Sequence, residues 1–234
     1  MDKKAGIWIT GASSGIGKAA VKEFEAIGCN IFASARRVLE LERLENENNG
    51  SKIKIFPCNV ASQKNVEQTF KKIISEFEIN CLINNAGITS FKTAEENSIK
   101  ETDDIITTNL LGSIYTIKSV LPHMKKIGGG TIINVLSVVT EKTFLNSAVY
   151  TASKMGLLGY TKVLREEVRA YNIRVVNIIP GATETPIWTN EMREEKGEKM
   201  MKPNSVARLM VSAFLQTDNL VTEEIIVRPV QGDI

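Results

Sequence analysis

The chain's 234 residues are 43% hydrophobic and 24% charged, which describes a globular protein and excludes an intrinsically disordered one. With 29 basic against 27 acidic side chains, a net charge of +2 supplies no broad positive field, so neither nucleic acid nor anionic lipid is an expected partner. The longest uncharged stretch, Ile127 to Thr140, falls short of the roughly 20 apolar residues of a membrane helix and contains three consecutive glycines.

Met1-Asp2-Lys3-Lys4 passes directly into Ile7-Trp8-Ile9 without the long apolar region and cleavage site of a secretory signal, so a cytoplasmic location is expected. From residue 5 to residue 228, short runs rich in Ile and Val alternate with longer stretches of helical spacing. Strands are predicted at Ala5 to Thr10, Asn30 to Ser34, Lys52 to Phe56, Asn80 to Ile83, Gly130 to Leu136, Ile173 to Ile179 and Glu224 to Val227. The intervening helices are long enough for right-handed crossovers. The expected α/β fold is therefore a Rossmann-type, doubly wound parallel sheet with helices on both faces and ligands at the strand C-terminal ends. No linker or repeat interrupts the rhythm, so residues 1–234 are expected to form one domain.

After the first strand comes Thr10-Gly11-Ala12-Ser13-Ser14-Gly15-Ile16-Gly17, with helical spacing from Lys18 onward. Glycines in such a turn let a pyrophosphate approach the backbone, and the first N–H groups of the helix donate to it. A P-loop is excluded, because Gly17-Lys18 has Ala12 where the first glycine belongs and Ala19 where Ser or Thr belongs. Gly11-Ala12-Ser13-Ser14-Gly15 does match the GxSxG nucleophile elbow, and Asp103 or Asp104 followed by His123 preserves hydrolase order. Against a serine hydrolase using Ser13, the elbow normally follows a later strand and Gly17 would have no role.

At the end of the second strand, Phe32-Ala33-Ser34-Ala35-Arg36-Arg37 carries no carboxylate for a ribose 2′-hydroxyl but two guanidinium groups suited to a 2′-phosphate. NADP (NADPH) is the expected cofactor. Cys29, Cys58 and Cys81 form an odd set without a close pair, and His123 is the single histidine, so no disulfide framework and no metal site is expected. The helical stretches at 99–124 and 149–170 are apolar all round, with Gly156 and Gly159 allowing close backbone approach, which predicts a homo-oligomer.

Leu136-Ser137 closes the fifth strand, and Tyr150 and Lys154 follow on one helix face. A phenol titrates near 10, so a tyrosinate acting near neutrality needs about two to three units of help, which Lys154 beside oxidised nicotinamide is expected to supply. Ser137 then hydrogen-bonds a substrate oxygen beside Tyr150. Val138, Val139, Phe144, Leu145, Ile187 and Trp188 are expected to face the substrate, with Glu141, Lys142 and Asn146 at its margin. The charged segment 186–202 breaks the βα rhythm after a strand end, and is expected to be a lid rather than a merely solvated helix.

In order along nearly the whole chain, the TGxxxGxG loop, Asn84-Asn85-Ala86-Gly87, Ser137 with Tyr150 and Lys154, and Pro180-Gly181 resemble the short-chain dehydrogenase/reductase family. The resemblance implies hydride transfer between NADP(H) and a small-molecule carbonyl or secondary alcohol, with Tyr150 as general acid/base, in a homodimer or homotetramer. It assigns Asn109 as the fourth catalytic residue, holding a water against Lys154. It places Gly11, Ser13, Ser14, Gly15, Ile16, Gly17, Arg36, Arg37, Asn85, Ala86 and Gly87 on the cofactor, with Tyr150, Lys154, Pro180, Gly181, Thr183 and Thr185 towards its nicotinamide. Asn84 is weighted towards sheet structure. Asn59-Val60 stands where the family usually has Asp-Val near the adenine, an amide that keeps an acceptor. The tail from Val227 lacks the Asp-Gly-Gly turn common in fatty-acid-synthesis reductases, which argues against a 3-oxoacyl-carrier-protein substrate. A dinucleotide-binding redox sensor without turnover is the alternative from another class, opposed by the intact catalytic set.

Overall fold

The computed structural model describes residues 3–47, 52–217 and 219–233. Its seven strands are β1 (Lys4–Thr10), β2 (Asn30–Ser34), β3 (Ile53–Ile55), β4 (Phe77–Asn84), β5 (Gly130–Val135), β6 (Ile173–Pro180) and β7 (Glu224–Val227). They form one parallel sheet in the order β3-β2-β1-β4-β5-β6-β7, the doubly wound arrangement expected. The strand order reverses between β1 and β4, and a ligand crevice opens outside the strand ends at such a point.

Side-chain alternation builds the two faces. Ile7, Ile9, Ile31 and Ala33 pack on one side with Val21 and Phe24 of α1 (Gly15–Ala26), Leu41 and Leu44 of α2 (Val38–Glu47) and Val206 and Met210 from the chain's last helix. Trp8, Phe32 and Leu82 point the other way. They join Val66 and Ile73 of α3 (Gln63–Glu76) and the apolar residues of the long helices that follow β4 and β5. Strand β4 begins at Phe77, three residues before the sequence places it, because Lys4 to Gly6 extend the β1 ladder to Phe77 through Ile79.

The helix expected over 99–124 is broken in a specific way. α4 (Ile99–Ile106) runs into a π turn at Thr107–Leu111 and continues as α5 (Gly112–Ile127), with the Gly112 N–H reaching back to the Thr107 carbonyl. The extra residue places Asn109 at the bulge, a distortion common at functional sites. The remaining helices are α6 (Ala148–Val168), α7 (Asn190–Lys196) and α8 (Pro203–Phe214).

Three buried asparagines lie in register on β4, β5 and β6: Asn84, Asn134 and Asn177. Thr116 of α5 donates to Asn84 Oδ1 (2.6 Å), and Asn84 Nδ2 to Asn134 Oδ1 (3.1 Å). Asn134 Nδ2 donates to Asn177 Oδ1 (3.3 Å), and Asn177 Nδ2 to Thr161 of α6 (3.0 Å). Each polar group would be costly alone in this core; as a chain they fasten both long helices to the sheet directly behind the crevice.

Candidate active site

The loop after β1 is folded by its own glycines and by Asn85. Gly11 has φ +65°, and a Cβ there would lie 2.8 Å from the Ala86 Cα, so the turn admits no side chain. The Thr10 hydroxyl accepts the Asn85 and Ala86 N–H groups (3.1 and 3.2 Å), while Asn85 Nδ2 donates to the Thr10 and Gly11 carbonyls (both 3.1 Å). The Gly-rich turn and the Asn84–Gly87 turn are therefore one unit. Ser14 stands at the N-cap of α1 without a side-chain bond to the helix backbone and the first turn carries no acid, which leaves the helix N-terminus open to an anion. Arg37 reaches this turn, donating through Nε and Nη2 to Ser13 Oγ (3.2 and 2.9 Å) and through Nη2 to Ser14 Oγ (2.6 Å). Arg36 is exposed and makes no such contact.

A cavity of about 630 Å³ runs from this turn to the ends of β5 and β6. Every residue expected on cofactor or substrate chemistry lines it except Gly17 and Asn109, and so do all six residues expected to face a substrate. Glu141, Lys142 and Asn146, expected at the margin, stay outside the wall. Gly17 lies beneath the turn, where a Cβ would run into the Gly11 carbonyl and the Asn85 amide, so close packing there requires glycine. Asn109 is fully buried behind Gly87, whose Cβ position is 3.4 Å from Asn109 Oδ1 and 3.6 Å from Lys154 Nζ. Its side chain is occupied: the Ile88 N–H donates to Oδ1 (2.8 Å), and Nδ2 donates to the Ile88 carbonyl (2.9 Å) and to Ser153 Oγ (3.0 Å). Asn109 thus clamps the cavity wall to α6, and its Oδ1 keeps one acceptor lone pair beside Gly87 and Lys154.

The Tyr150 and Ser137 hydroxyls lie beside each other, and the Lys154 ammonium lies 5.7 Å from the Tyr150 ring centre. Lys154 donates to the Val135 carbonyl at the end of β5 (2.8 Å). Burial pushes the Tyr150 phenol up to about 12, eased only by the Ser137 hydroxyl, and desolvation pulls Lys154 down to about 8. With protein groups alone, Tyr150 is therefore a protonated acid across the neutral range. Asn59 keeps one acceptor lone pair, since the Ala61 N–H already takes the other at 3.2 Å. Thr89, Phe91, Cys58 and Asp233 also line the cavity. No local motif marks them; burial pushes the Cys58 thiol up, which makes it a poor nucleophile.

The serine hydrolase arrangement is not assembled. Ser13 Oγ is engaged by Arg37, whereas His123 Nε2 accepts the Ile79 N–H (3.2 Å) in the first half of β4. Desolvation lowers the His123 pKa below its ordinary 6.5. The unfolded chain therefore binds this proton more tightly, so the stabilisation is complete above about pH 6.5 and is lost as pH falls through the lower folded value. Thermal melts should show wild type losing more stability than His123→Gln between pH 7 and pH 5; parallel losses would contradict this placement.

A sequence model of the short chain dehydrogenases matches residues 5–196. The sepiapterin reductase of Chlorobaculum tepidum is 31% identical over 236 residues, covering 97% of this chain and 96% of the relative. An alcohol dehydrogenase from Thermococcus sibiricus, solved with 5-hydroxy-NADP, superposes with a TM-score of 0.88 at 26% identity over 97% of both chains. A 3-ketoacyl-(acyl-carrier-protein) reductase from Brucella melitensis, solved with NADH, gives 0.88 at 26% identity over 98% of both.

Proposed function

Because the chain belongs to the short-chain dehydrogenase/reductase family, we propose that it is a cytoplasmic, NADP(H)-dependent oxidoreductase acting on a carbonyl or secondary alcohol, with Tyr150 as general acid/base. The observation that carries this is the Tyr150–Ser137 hydroxyl pair, with Lys154 beside it, in the same cavity as the Gly-rich turn. The cradle suits a dinucleotide. Gly11 and Gly15 leave no side chain over the turn, the α1 N-terminus is uncapped, and the cavity wall carries Arg36, Arg37 and Lys154 against a single acid, Asp233.

Bound there, a nicotinamide dinucleotide supplies the hydride. Ser137 and Tyr150 hold the carbonyl oxygen between two hydroxyls, and Tyr150 gives up its proton as negative charge develops on that oxygen. Lys154, charged below about pH 8, stabilises the phenolate left behind. Asn109 acts through Ile88 and Ser153 by fixing the wall around Gly87. The segment after Pro186 serves as the lid: its base is stapled by the Thr183–Met201 bridge, the Met201 N–H to Ala182 carbonyl bond (2.9 Å) and the Trp188 indole bond to the Thr183 carbonyl, so the loop beyond Trp188 can move without disturbing β6. On α6, exposed Met155 and Val163 and the open space at Gly159 support docking of a second copy in a dimer or tetramer.

The two arginines are expected to divide the cofactor's recognition. Arg36→Ala should weaken NADPH at least about tenfold relative to NADH, because a charged hydrogen bond to a 2′-phosphate is lost. Arg37→Ala should weaken both, because Arg37 also supports Ser13 and Ser14. Equal losses from Arg36→Ala in a fluorescence titration would remove the basis for NADP preference. To test the function itself, NADPH consumption is followed with a panel of aldehydes and ketones. Turnover supports the reductase; tight NADPH binding with no turnover across the panel would favour a redox sensor.

A further inference from the structure

Phe91, on the segment after β4, and Trp188, on the segment after β6, meet across the mouth of the cavity. Their rings stack with centroids 4.9 Å apart and planes within 9°, whereas the five other ring pairs among the described residues are tilted or edge-on. Both line the cavity that holds Ser137 and Tyr150. The two partners are held very differently. The indole is fixed, with Nε1 donating to the Thr183 carbonyl (3.0 Å) and the Trp188 N–H to that of Thr185 (3.1 Å). Phe91 is 46% exposed and has no second ring contact among the described residues. Its flanking residues are fastened, Ser90 to Asn97 and Lys92 to Glu101 (2.5 Å), so the ring can swing aside about its own side-chain bonds while the backbone stays. Ile187 and Leu145 add exposed apolar surface at the same mouth.

We propose that Trp188 is the platform on which the flat ring of an aromatic or heteroaromatic aldehyde or ketone stacks, and that Phe91 occupies that place until the substrate displaces it. The proposal rests on the reductase assignment above and adds the substrate class to it. A planar ring reproduces the face contact that Phe91 gives up, whereas a puckered or branched group cannot lie flat against the indole. The cations of the wall, Arg36, Arg37 and Lys154, are committed to the cofactor and the reacting oxygen, so this end of the cavity recognises shape and π surface.

The test compares acetophenone with cyclohexyl methyl ketone, which have matched size and differ in planarity. Wild type should favour acetophenone in kcat/KM. Trp188→Leu should bring that ratio close to one by raising the acetophenone KM about five- to tenfold, and Phe91→Ala should lower that KM. Equal losses on both ketones in Trp188→Leu, or a higher acetophenone KM in Phe91→Ala, would overturn the proposal. A binding readout keeps it separate from the reductase assignment: acetophenone titrated into NADP⁺-loaded protein should quench tryptophan fluorescence saturably. Trp8 is fully buried on Ser34, so the quench should vanish in Trp188→Leu. Quenching without turnover of either ketone would retain the platform and sink the reductase; turnover with no Trp188-dependent quench would do the reverse.

Discussion

Tyr150→Phe is expected to lower kcat/KM for carbonyl reduction about a thousandfold while NADPH still binds, since general acid catalysis contributes about 10²- to 10⁴-fold. Phenylalanine keeps the ring that lies 5.7 Å from the Lys154 ammonium and removes only the oxygen beside Ser137. Ser137 Oγ keeps its bond from the Val139 N–H, so the loss would report missing proton donation rather than a collapsed wall. With the phenol pushed up to about 12, the wild-type acid is fully protonated at neutral pH and its proton is available without any prior ionisation. Stopped-flow measurement of the hydride step in wild type and variant decides the matter. A variant that keeps more than about a tenth of the wild-type rate would require another proton donor.

Lys154→Met is expected to remove at least about 99% of activity while leaving the melting temperature at pH 7 unchanged or raised. The lysine is buried and its pKa is pulled from 10.5 to about 8 by desolvation, with no carboxylate to compensate. The unfolded chain therefore holds that proton more tightly. Below pH 8 folding carries a constant penalty on the order of 3 kcal/mol, which fades as pH climbs from about 8 to 10.5. Methionine fills the same volume without charge. It leaves the Val135 carbonyl without its lysine donor, at a cost of about 1–3 kcal/mol that roughly offsets the gain. Thermal melts against pH should show wild type gaining on the variant between pH 8 and pH 10.5. A variant several degrees less stable at pH 7, with the gap constant in pH, would show that Lys154 is a structural residue.

How much of this was legible in the sequence depends on how far apart the partners lie. The turn from Gly11 to Gly17, the arginines after β2 and the Tyr150/Lys154 pair are readable because backbone geometry, charge and helix spacing are local properties. The seven strands are readable because their apolar runs are short and bounded. The asparagine chain is not: each of Asn84, Asn134 and Asn177 is a lone polar residue in an apolar strand, and only parallel register reveals that they touch. The π turn is equally hidden. Thr107–Leu111 carries no motif that marks a bulge, and the bulge goes with the bond between Asn109 and Ile88, which comes from another segment. Phe91 and Trp188 carry no shared motif, and burial, which sets the acidity of Tyr150 and Lys154, cannot be read from spacing.

Tyr150 and Ser137 are expected to face the nicotinamide across one substrate site. A crystal structure with NADP⁺ and acetophenone bound to Tyr150→Phe would test it most directly. The expected result is a ketone oxygen within hydrogen-bonding distance of Ser137 Oγ and next to the vacated hydroxyl position, the nicotinamide ring on the other side of the carbonyl carbon, and the 2′-phosphate against Arg36. A nicotinamide turned away from Ser137, or a dinucleotide seated outside the cavity between the Gly-rich turn and β5, would contradict it.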